Sequence, residues 1–295
     1  MTLSGSPRKF PITRRRFLLA GACAVGGFAL YGGEIARHWL EVTSRDVVIP
    51  GLPAAFDGFR IAQISDIHMD EFSEAFFVRE VVRRVNSLNP DAVFLTGDFV
   101  THQFAPKKFA IGAGWQCASI LNGLTCRQRY ASLGNHDVMI GVEPVSEALT
   151  ANAITVLFNS YLPLERSGGR IWLAGLDDPL LGLPDPEATI PAAIRNIPKE
   201  PIVLLCHAPD YVDHLLKLPS GQAVSLMLCG HTHGGQIRLP LIGPLVLPTL
   251  GRKYVEGWFR FGQLQLHVNR GIGAVGVPFR LNCPPEISVI TLHSA

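Results

Sequence analysis

Five short apolar runs in this chain each end in a cluster of aspartate, histidine or asparagine, and that recurrence limits its architecture more than any other feature. Phe59–Ile64 is followed by Ser65-Asp66-Ile67-His68, and Ala92–Leu95 by Thr96-Gly97-Asp98. Tyr130–Leu133 leads into Gly134-Asn135-His136-Asp137, Ile202–Cys206 into His207, and Leu226–Cys229 into Gly230-His231-Thr232-His233-Gly234-Gly235. Apolar runs of this length read as buried strands, and α/β sheets bind ligands at the carboxyl ends of their strands. Between the first two runs, Ser73–Leu88 puts Phe77, Val78, Val81, Val82, Val85 and Leu88 on one helical stripe, with Ser73 as cap and Asn89-Pro90 as stop. Helices also read over Glu143–Asn152, Ala188–Asn196 and Tyr211–Leu218, and one ends near Leu124. Thr155–Phe158, Ile171–Gly175 and Ile287–Leu292 read as further strands, and Tyr254–Phe261 with Leu264–Val268 as a hairpin turning at Gly262. The pattern is a single α/β domain with an antiparallel part toward the C-terminus.

The polar clusters share one chemistry. A spacing of two, as in Asp66-x-His68 and His231-x-His233, sends both side chains to the same side of an extended backbone. Carboxylate, imidazole and amide oxygen without thiolate suit Mn, Fe or Zn in a reactive site better than a structural zinc. Seven candidates (Asp66, His68, Asp98, Asn135, His207, His231 and His233) exceed the needs of one ion and match two ions that share a carboxylate. Taken singly, His207 reads as a hydrogen-bonded core histidine, Asp66 or Asp98 as a helix cap, and Gly134-Asn135 as a turn. Their coincidence at successive strand ends favours a site. His38, His102, His214, His267 and His293 have no such context.

Charge separates the chain into two parts. Residues 1–44 hold six basic and two acidic residues, leaving 20 Lys/Arg against 22 Asp/Glu in residues 45–295. Five positive charges before Phe17, then no charge from Phe17 to Tyr31, form the n-region and h-region of an export signal. Thr13-Arg14-Arg15-Arg16-Phe17-Leu18 resembles the twin-arginine signal. The uncharged stretch is short and rich in Gly and Ala for a membrane-spanning helix. No clear cleavage site follows Tyr31, so residues 1–44 are expected to be an export signal or a retained N-terminal anchor. Ala20 stands where a lipobox around Cys23 would need Leu. Cys206 and Cys229 end apolar runs and read as core thiols; Cys117 and Cys126 are placed to allow a disulfide, and Cys283 has no assigned role. Charged residues make up only 17% of the chain, and residues 45–295 have no basic run to follow a backbone, which argues against nucleic acid as a partner.

The ordered set Asp66-x-His68, Gly97-Asp98, Gly134-Asn135-His136-Asp137, His207 and Gly230-His231-x-His233 resembles that of the calcineurin-like metallophosphoesterase family. Gly230–Gln236, Arg270-Gly271-Ile272-Gly273 and Pro284-Pro285-Glu286-Ile287 are similar to a bacterial subgroup of exported or membrane-associated phosphodiesterases. The resemblance implies a four-layer α/β/β/α sandwich, two mixed sheets flanked by helices, over residues 45–295. It implies two divalent ions (Mn, Zn or Fe), one held by Asp66, His68 and His233, the other by Asn135, His207 and His231, with Asp98 bridging. A bridging hydroxide would attack phosphorus in line. His136 would stabilise the transition state or protonate the leaving oxygen, and Asp137 would orient that imidazole.

The implied activity is hydrolysis of a phosphodiester or pyrophosphate, in a small molecule or a lipid-linked envelope substrate. A phosphomonoesterase or protein phosphatase would use the same centre. A metal-stabilised scaffold would have no need of His136 and Asp137. The twin-arginine translocase and a membrane surface are the other expected partners, with the periplasm or the outer face of the cytoplasmic membrane as location. Leu239–Leu250 is apolar and Pro-rich, and reads either as a loop packed over the sheet edge or as an apolar rim beside the site. Arg270 is a candidate phosphate contact or a salt-bridge residue.

Overall fold

Neighbouring residues of the central strands face opposite sides, and both sides are apolar; that is what fixes the layers. The computed structural model describes residues 13–69, 75–101 and 106–295. Its strands are β1 (Glu41–Ile49), β2 (Phe59–Ile64), β3 (Ala92–Thr96), β4 (Arg129–Ser132), β5 (Thr155–Val156), β6 (Ser160–Arg166) and β7 (Gly169–Gly175). They continue as β8 (Ile202–Leu205), β9 (Val224–Cys229), β10 (Arg238–Leu239), β11 (Gly243–Pro244), β12 (Gly257–Phe261), β13 (Leu264–Val268) and β14 (Glu286–Ser294). One sheet has the order β1-β14-β2-β3-β4-β5 and the other β12-β13-β9-β8-β7-β6, with β10 and β11 paired separately. Both sheets are mixed: β14 is antiparallel to β2, and β12 and β6 are antiparallel edges.

In β3, Ala92 and Phe94 point between the sheets while Val93 and Leu95 point to the helices. In β8, Val203 and Leu205 point inward and Ile202 and Leu204 outward. A strand covered on both faces needs no polar alternation, which is why these runs are continuously apolar. The longer helices are α1 (Arg14–Leu30), α2 (Ala75–Leu88), α3 (Lys107–Leu121), α4 (Asn135–Ile140) and α5 (Val142–Ala151). The apolar stripes of α2, α3 and α5 cover the first sheet, through Val81, Val85, Leu121 and Leu149. The short helices Pro186–Thr189, Ala192–Arg195 and Val212–Leu215 cover the second. The result is four layers, α/β/β/α, with two mixed sheets flanked by helices.

Several boundaries differ from the sequence reading for local reasons. Ser73, expected to cap α2, lies outside the described residues, as does His102. The helix expected over Ala188–Asn196 is two single turns, because Pro191 removes a donor between them. Besides the short pair β10 and β11, two strands have no counterpart in the sequence reading. β6 is an exposed edge strand carrying Pro163, tolerated because an edge has a free side. β1 starts at Glu41 and pairs in parallel with β14 along its whole length, so the domain takes hold of the chain before residue 45. All six cysteines are free; Cys117 is buried in the core and the Cys126 thiol meets the Asp91 carbonyl at 3.3 Å, so no disulfide joins them.

The N-terminal helix is longer than its uncharged stretch. From Arg14 to His38 the chain is helical for 25 residues and contains an 18-residue stretch of mean hydropathy 1.4, long and apolar enough to cross a membrane. None of Arg14–Leu30 is buried, whereas Gly32 and Ala36 are. The end of the helix is seated on the domain: Phe28 packs on Phe279 with ring centroids 5.3 Å apart, and Arg280 N–H donates to the Gly32 carbonyl at 3.0 Å. A Cβ on Gly32 would occupy the Phe279 ring, so this close approach requires glycine.

Candidate metal centre

The C-terminal ends of β2, β3, β4, β8 and β9 converge, and two cross-sheet hydrogen bonds hold them together. Gln63 Nε2 donates to the Cys229 carbonyl at 2.9 Å, and His207 Nδ1 to the Thr96 carbonyl at 2.7 Å. Asp66, His68, Asp98, His231 and His233 all have φ between +50° and +73°, a region that costs a non-glycine residue about 1–3 kcal/mol. The sharp turns are packed without space. A Cβ on Gly134 would strike the Asp98 carboxylate, and one on Gly230 would strike Ser65 and Asp66.

The seven residues singled out in the sequence fall in one buried cluster. Asp66, His68 and His233 present ligand atoms within 4.8 Å of one another, as do Asp98, His207 and His231. His68 Nε2 lies 3.0 Å from His233 Nε2, and His233 Nε2 lies 3.4 Å from Asp66 Oδ1. Asp98 Oδ2 stands between the two sets, 3.5 Å from His68 Nε2 and 3.1 Å from His207 Nε2. Ligands about 2.0–2.2 Å from an ion lie roughly 3.0–3.4 Å from one another, so these separations suit a shared cation. Asn135 joins them from the start of α4, and its Oδ1, like His207 Nε2, is buried with no hydrogen-bond partner among the described residues.

Three of the four imidazoles are held so that one nitrogen remains for a ligand. The His207 Nδ1 hydrogen is taken by the Thr96 carbonyl, leaving Nε2. The His231 Nε2 hydrogen is taken by the Thr249 carbonyl at 2.7 Å, leaving Nδ1. His68 Nδ1 meets Thr101 Oγ1 at 3.0 Å. Such outer contacts set tautomer and orientation in metal sites. Burial pushes His68 down to about 3 and His231 down to about 4, and burial with the nearby His68 and Arg280 pulls His233 well below the usual range. All three are neutral, as ligands must be. Burial pulls on His207 too, but the Asp98, Asp66 and Asp178 carboxylates outweigh it and hold it well above an ordinary imidazole. Burial also raises Asp66 to about 6. Asp66 and three of the four imidazoles, buried together, resist carrying charge, and a cation among them would favour the Asp66 carboxylate while taking the neutral imidazoles as ligands. Orphaned atoms, spacing and donor type all fit divalent ions.

His136 and Asp137 separate in role. His136 is half-buried, its ring edge-on to His68 at 4.8 Å, with Nδ1 lacking a partner among the described residues. Its backbone N–H donates to Asp98 Oδ1 at 2.9 Å. Asp137 does not orient that imidazole, a correction to the sequence reading: successive helical residues point about 100° apart. Its Oδ2 accepts from Asp98 N–H at 2.8 Å and Gly134 N–H at 3.0 Å, and its Oδ1 from Phe99 N–H at 2.9 Å. Asp137 is thus the clasp of the loop that carries Asp98. Replacing it by alanine leaves three buried amides unpaired and is expected to lower unfolding free energy by about 3 kcal/mol or more, measured by denaturant unfolding.

Arg270 is not a phosphate contact. Its guanidinium is held by Glu286 at 3.1 Å and Glu41 at 2.6 Å, outside the cavity. The string that it opens supports the site instead: Gly273 N–H donates to the Asp66 carbonyl at 2.7 Å and Ile272 N–H to the Ser65 carbonyl at 2.9 Å. Arg280 has no counterpart in the sequence reading. It is fully buried, donates to the Gly273, Cys283 and Arg270 carbonyls, and lies 3.4 Å from His233 Nδ1. An arginine in an apolar run was the one available sign of it.

A cavity of about 400 Å³ opens over the cluster. Asp98, Asn135, His136, His231 and His233 form its floor, and Ile237, Leu245, Val246, Pro248, Val275 and Val277 its wall. The Leu239–Leu250 segment therefore borders the site as an apolar rim.

The fold and this site define a metallophosphoesterase: a model of the calcineurin-like phosphoesterase family matches residues 59–235, and the chain belongs to that family of metal-dependent phosphoester hydrolases. Among its relatives, the metallophosphoesterase YkuE of Bacillus subtilis is 33% identical over 96% of this chain and 98% of its own length. Phosphodiesterase YaeI of Escherichia coli is 31% identical over 95% of this chain and 99% of its own. UDP-2,3-diacylglucosamine pyrophosphatase LpxG of Chlamydia muridarum is 26% identical over 88% of this chain and 92% of its own.

Proposed function

We propose that this protein is a dinuclear metal-dependent phosphodiesterase that cleaves a phosphodiester or pyrophosphate bond, in a lipid-linked or envelope substrate. The observation that carries the reading is the position of Asp98 Oδ2 between two sets of ligand atoms. The names of YaeI and LpxG, a phosphodiesterase and a pyrophosphatase on an acylated sugar nucleotide, point the same way. Asp66, His68 and His233 would hold one ion, and Asn135, His207 and His231 the other, with Asp98 shared. Divalent ions there, of Mn, Zn or Fe, supply charge that polarises the phosphoryl oxygens and acidifies an attacking water. His136, at the cavity floor, holds a proton at the side where the ester oxygen leaves. Asp137 keeps Asp98 in place, and the apolar wall excludes water from the substrate's far end. The chain would leave the cytoplasm by the twin-arginine route, with the periplasm or the outer face of the membrane as its place of action.

Metal analysis of the purified protein, coupled to turnover of bis-p-nitrophenyl phosphate and p-nitrophenyl phosphate, tests this. Two ions per chain and a preference for the diester are expected. A large preference for the monoester would make it a phosphatase, and full metal occupancy with turnover of neither would make it a scaffold.

A further inference from the structure

The apolar wall of the cavity, the hairpin beside it and the end of the N-terminal helix are parts of one connected surface. Arg238 pairs with Pro244 and Leu239 with Gly243, which lifts Leu241 and Ile242 to the tip of the β10–β11 hairpin. Leu241 is fully exposed, Ile242 is 72% exposed and Val246 78%. The hairpin is zipped to the next loop: Arg238 N–H donates to the Leu281 carbonyl and Gln236 Nε2 to the Val275 and Val277 carbonyls. That loop continues into Phe279 and Arg280, which grip Phe28 and Gly32 of the helix. Residues 239–251 and 271–279 contain no charge. A soluble protein rarely leaves such an apolar surface to water.

The helix identifies what covers it. Its uncharged stretch, Phe17–Gly33, spans about 26 Å, a few Å less than the ~30 Å hydrocarbon core of a bilayer. A spanning segment that is too short draws its flanking structure into the interface. Arg14, Arg15 and Arg16 lie at its N-terminal end, against Arg37 beside Glu34 at the other, and this bias leaves the domain on the far side of the membrane. The structure at the other end of the helix is the Phe279 loop, with the hairpin attached.

We propose that the hairpin tip, the 275–279 loop and the end of the helix form one bilayer-facing platform around the cavity mouth, so that an acylated substrate enters the site from the leaflet. The second half of this proposal rests on the phosphodiesterase reading; the first half does not. The test uses the full chain in vesicles of phosphatidylethanolamine and phosphatidylglycerol, in a Cys23→Ser background. An environment-sensitive fluorophore is placed at Leu241→Cys or, as a control, at Ser167→Cys in the exposed turn between β6 and β7. Quenching by lipids carrying a shallow nitroxide is expected at 241 and not at 167. Equal or absent quenching at 241 overturns the platform, including the case in which a protein partner covers that surface instead.

Leu241→Asn with Ile242→Asn is then expected to raise the KM for an acylated p-nitrophenyl phosphodiester in those vesicles about tenfold, leaving turnover of soluble bis-p-nitrophenyl phosphate unchanged. Equal loss on both substrates overturns the entry route. Quenching without turnover of either substrate removes the phosphodiesterase reading and leaves the bilayer surface standing.

Discussion

Asp98→Asn is expected to lose bound metal and to lower phosphodiester turnover by at least about 10³-fold while the chain remains folded. Asparagine is the informative replacement. It tolerates the left-handed backbone that Asp98 adopts at φ +55°, so the strain is not changed along with the charge. It also keeps an oxygen to accept the His136 N–H. What it removes is the negative charge at Oδ2, 3.1 Å from one ligand set and 3.5 Å from the other. A ligand that belonged to one set alone would cost one ion; a shared ligand weakens both. Elemental analysis after gel filtration reads this directly. Thermal unfolding with and without chelator gives a second measurement, because an ion that binds only the folded chain raises its stability by mass action. Chelator is expected to lower the Tm of the parent protein and to leave that of Asp98→Asn nearly unchanged. Two ions retained per chain would show that Asp98 is not shared.

The strands that carry the site were legible because burial on both faces leaves a signature in composition. β2 matches its expected span, Phe59–Ile64, and β8 and β9 differ from theirs by one or two residues. The polar residues at their ends were legible for the complementary reason: a charge or imidazole directly after a buried run needs an explanation. β1 and β6 lack that contrast. β6 alternates at an exposed edge, and β1 is half exposed and lies against a segment whose charge pattern reads as an address.

The supporting contacts were not legible because most of them are made by backbone. The carbonyls of Thr96 and Thr249 fix two tautomers, and any residue type has a carbonyl. Asp137 shows the same limit from the other side. Its neighbour in the sequence is His136, but its partners are the amides of residues 98, 99 and 134, brought close only by the packing of β3 against β4. Adjacency along the chain suggested a pair that the helix turns apart. Arg270 is a similar case: the sequence left phosphate and carboxylate equally open as partners, and the pairing of β1 with β14 supplies Glu41 and Glu286.

His136→Ala is expected to keep both ions and the fold, and to lower kcat by about 10²–10⁴-fold on substrates with poor leaving groups. The contact that ties residue 136 to the metal loop is its backbone N–H on Asp98 Oδ1, and alanine retains it. The clasp made by Asp137 is likewise untouched. What is lost is a half-buried ring whose Nδ1 has no partner among the described residues and whose neighbour is His68. A proton donor matters in proportion to the basicity of the departing oxygen, so the loss should be small for p-nitrophenyl esters and large for alkyl esters. That dependence separates protonation from charge stabilisation, which would lower turnover of both by a similar factor. A third outcome is open on geometry, because His136 also presents a nitrogen within 4.8 Å of ligand atoms from His68 and Asp98. Loss of an ion from His136→Ala would assign it to the metal set, and the leaving oxygen would then have to take its proton from water.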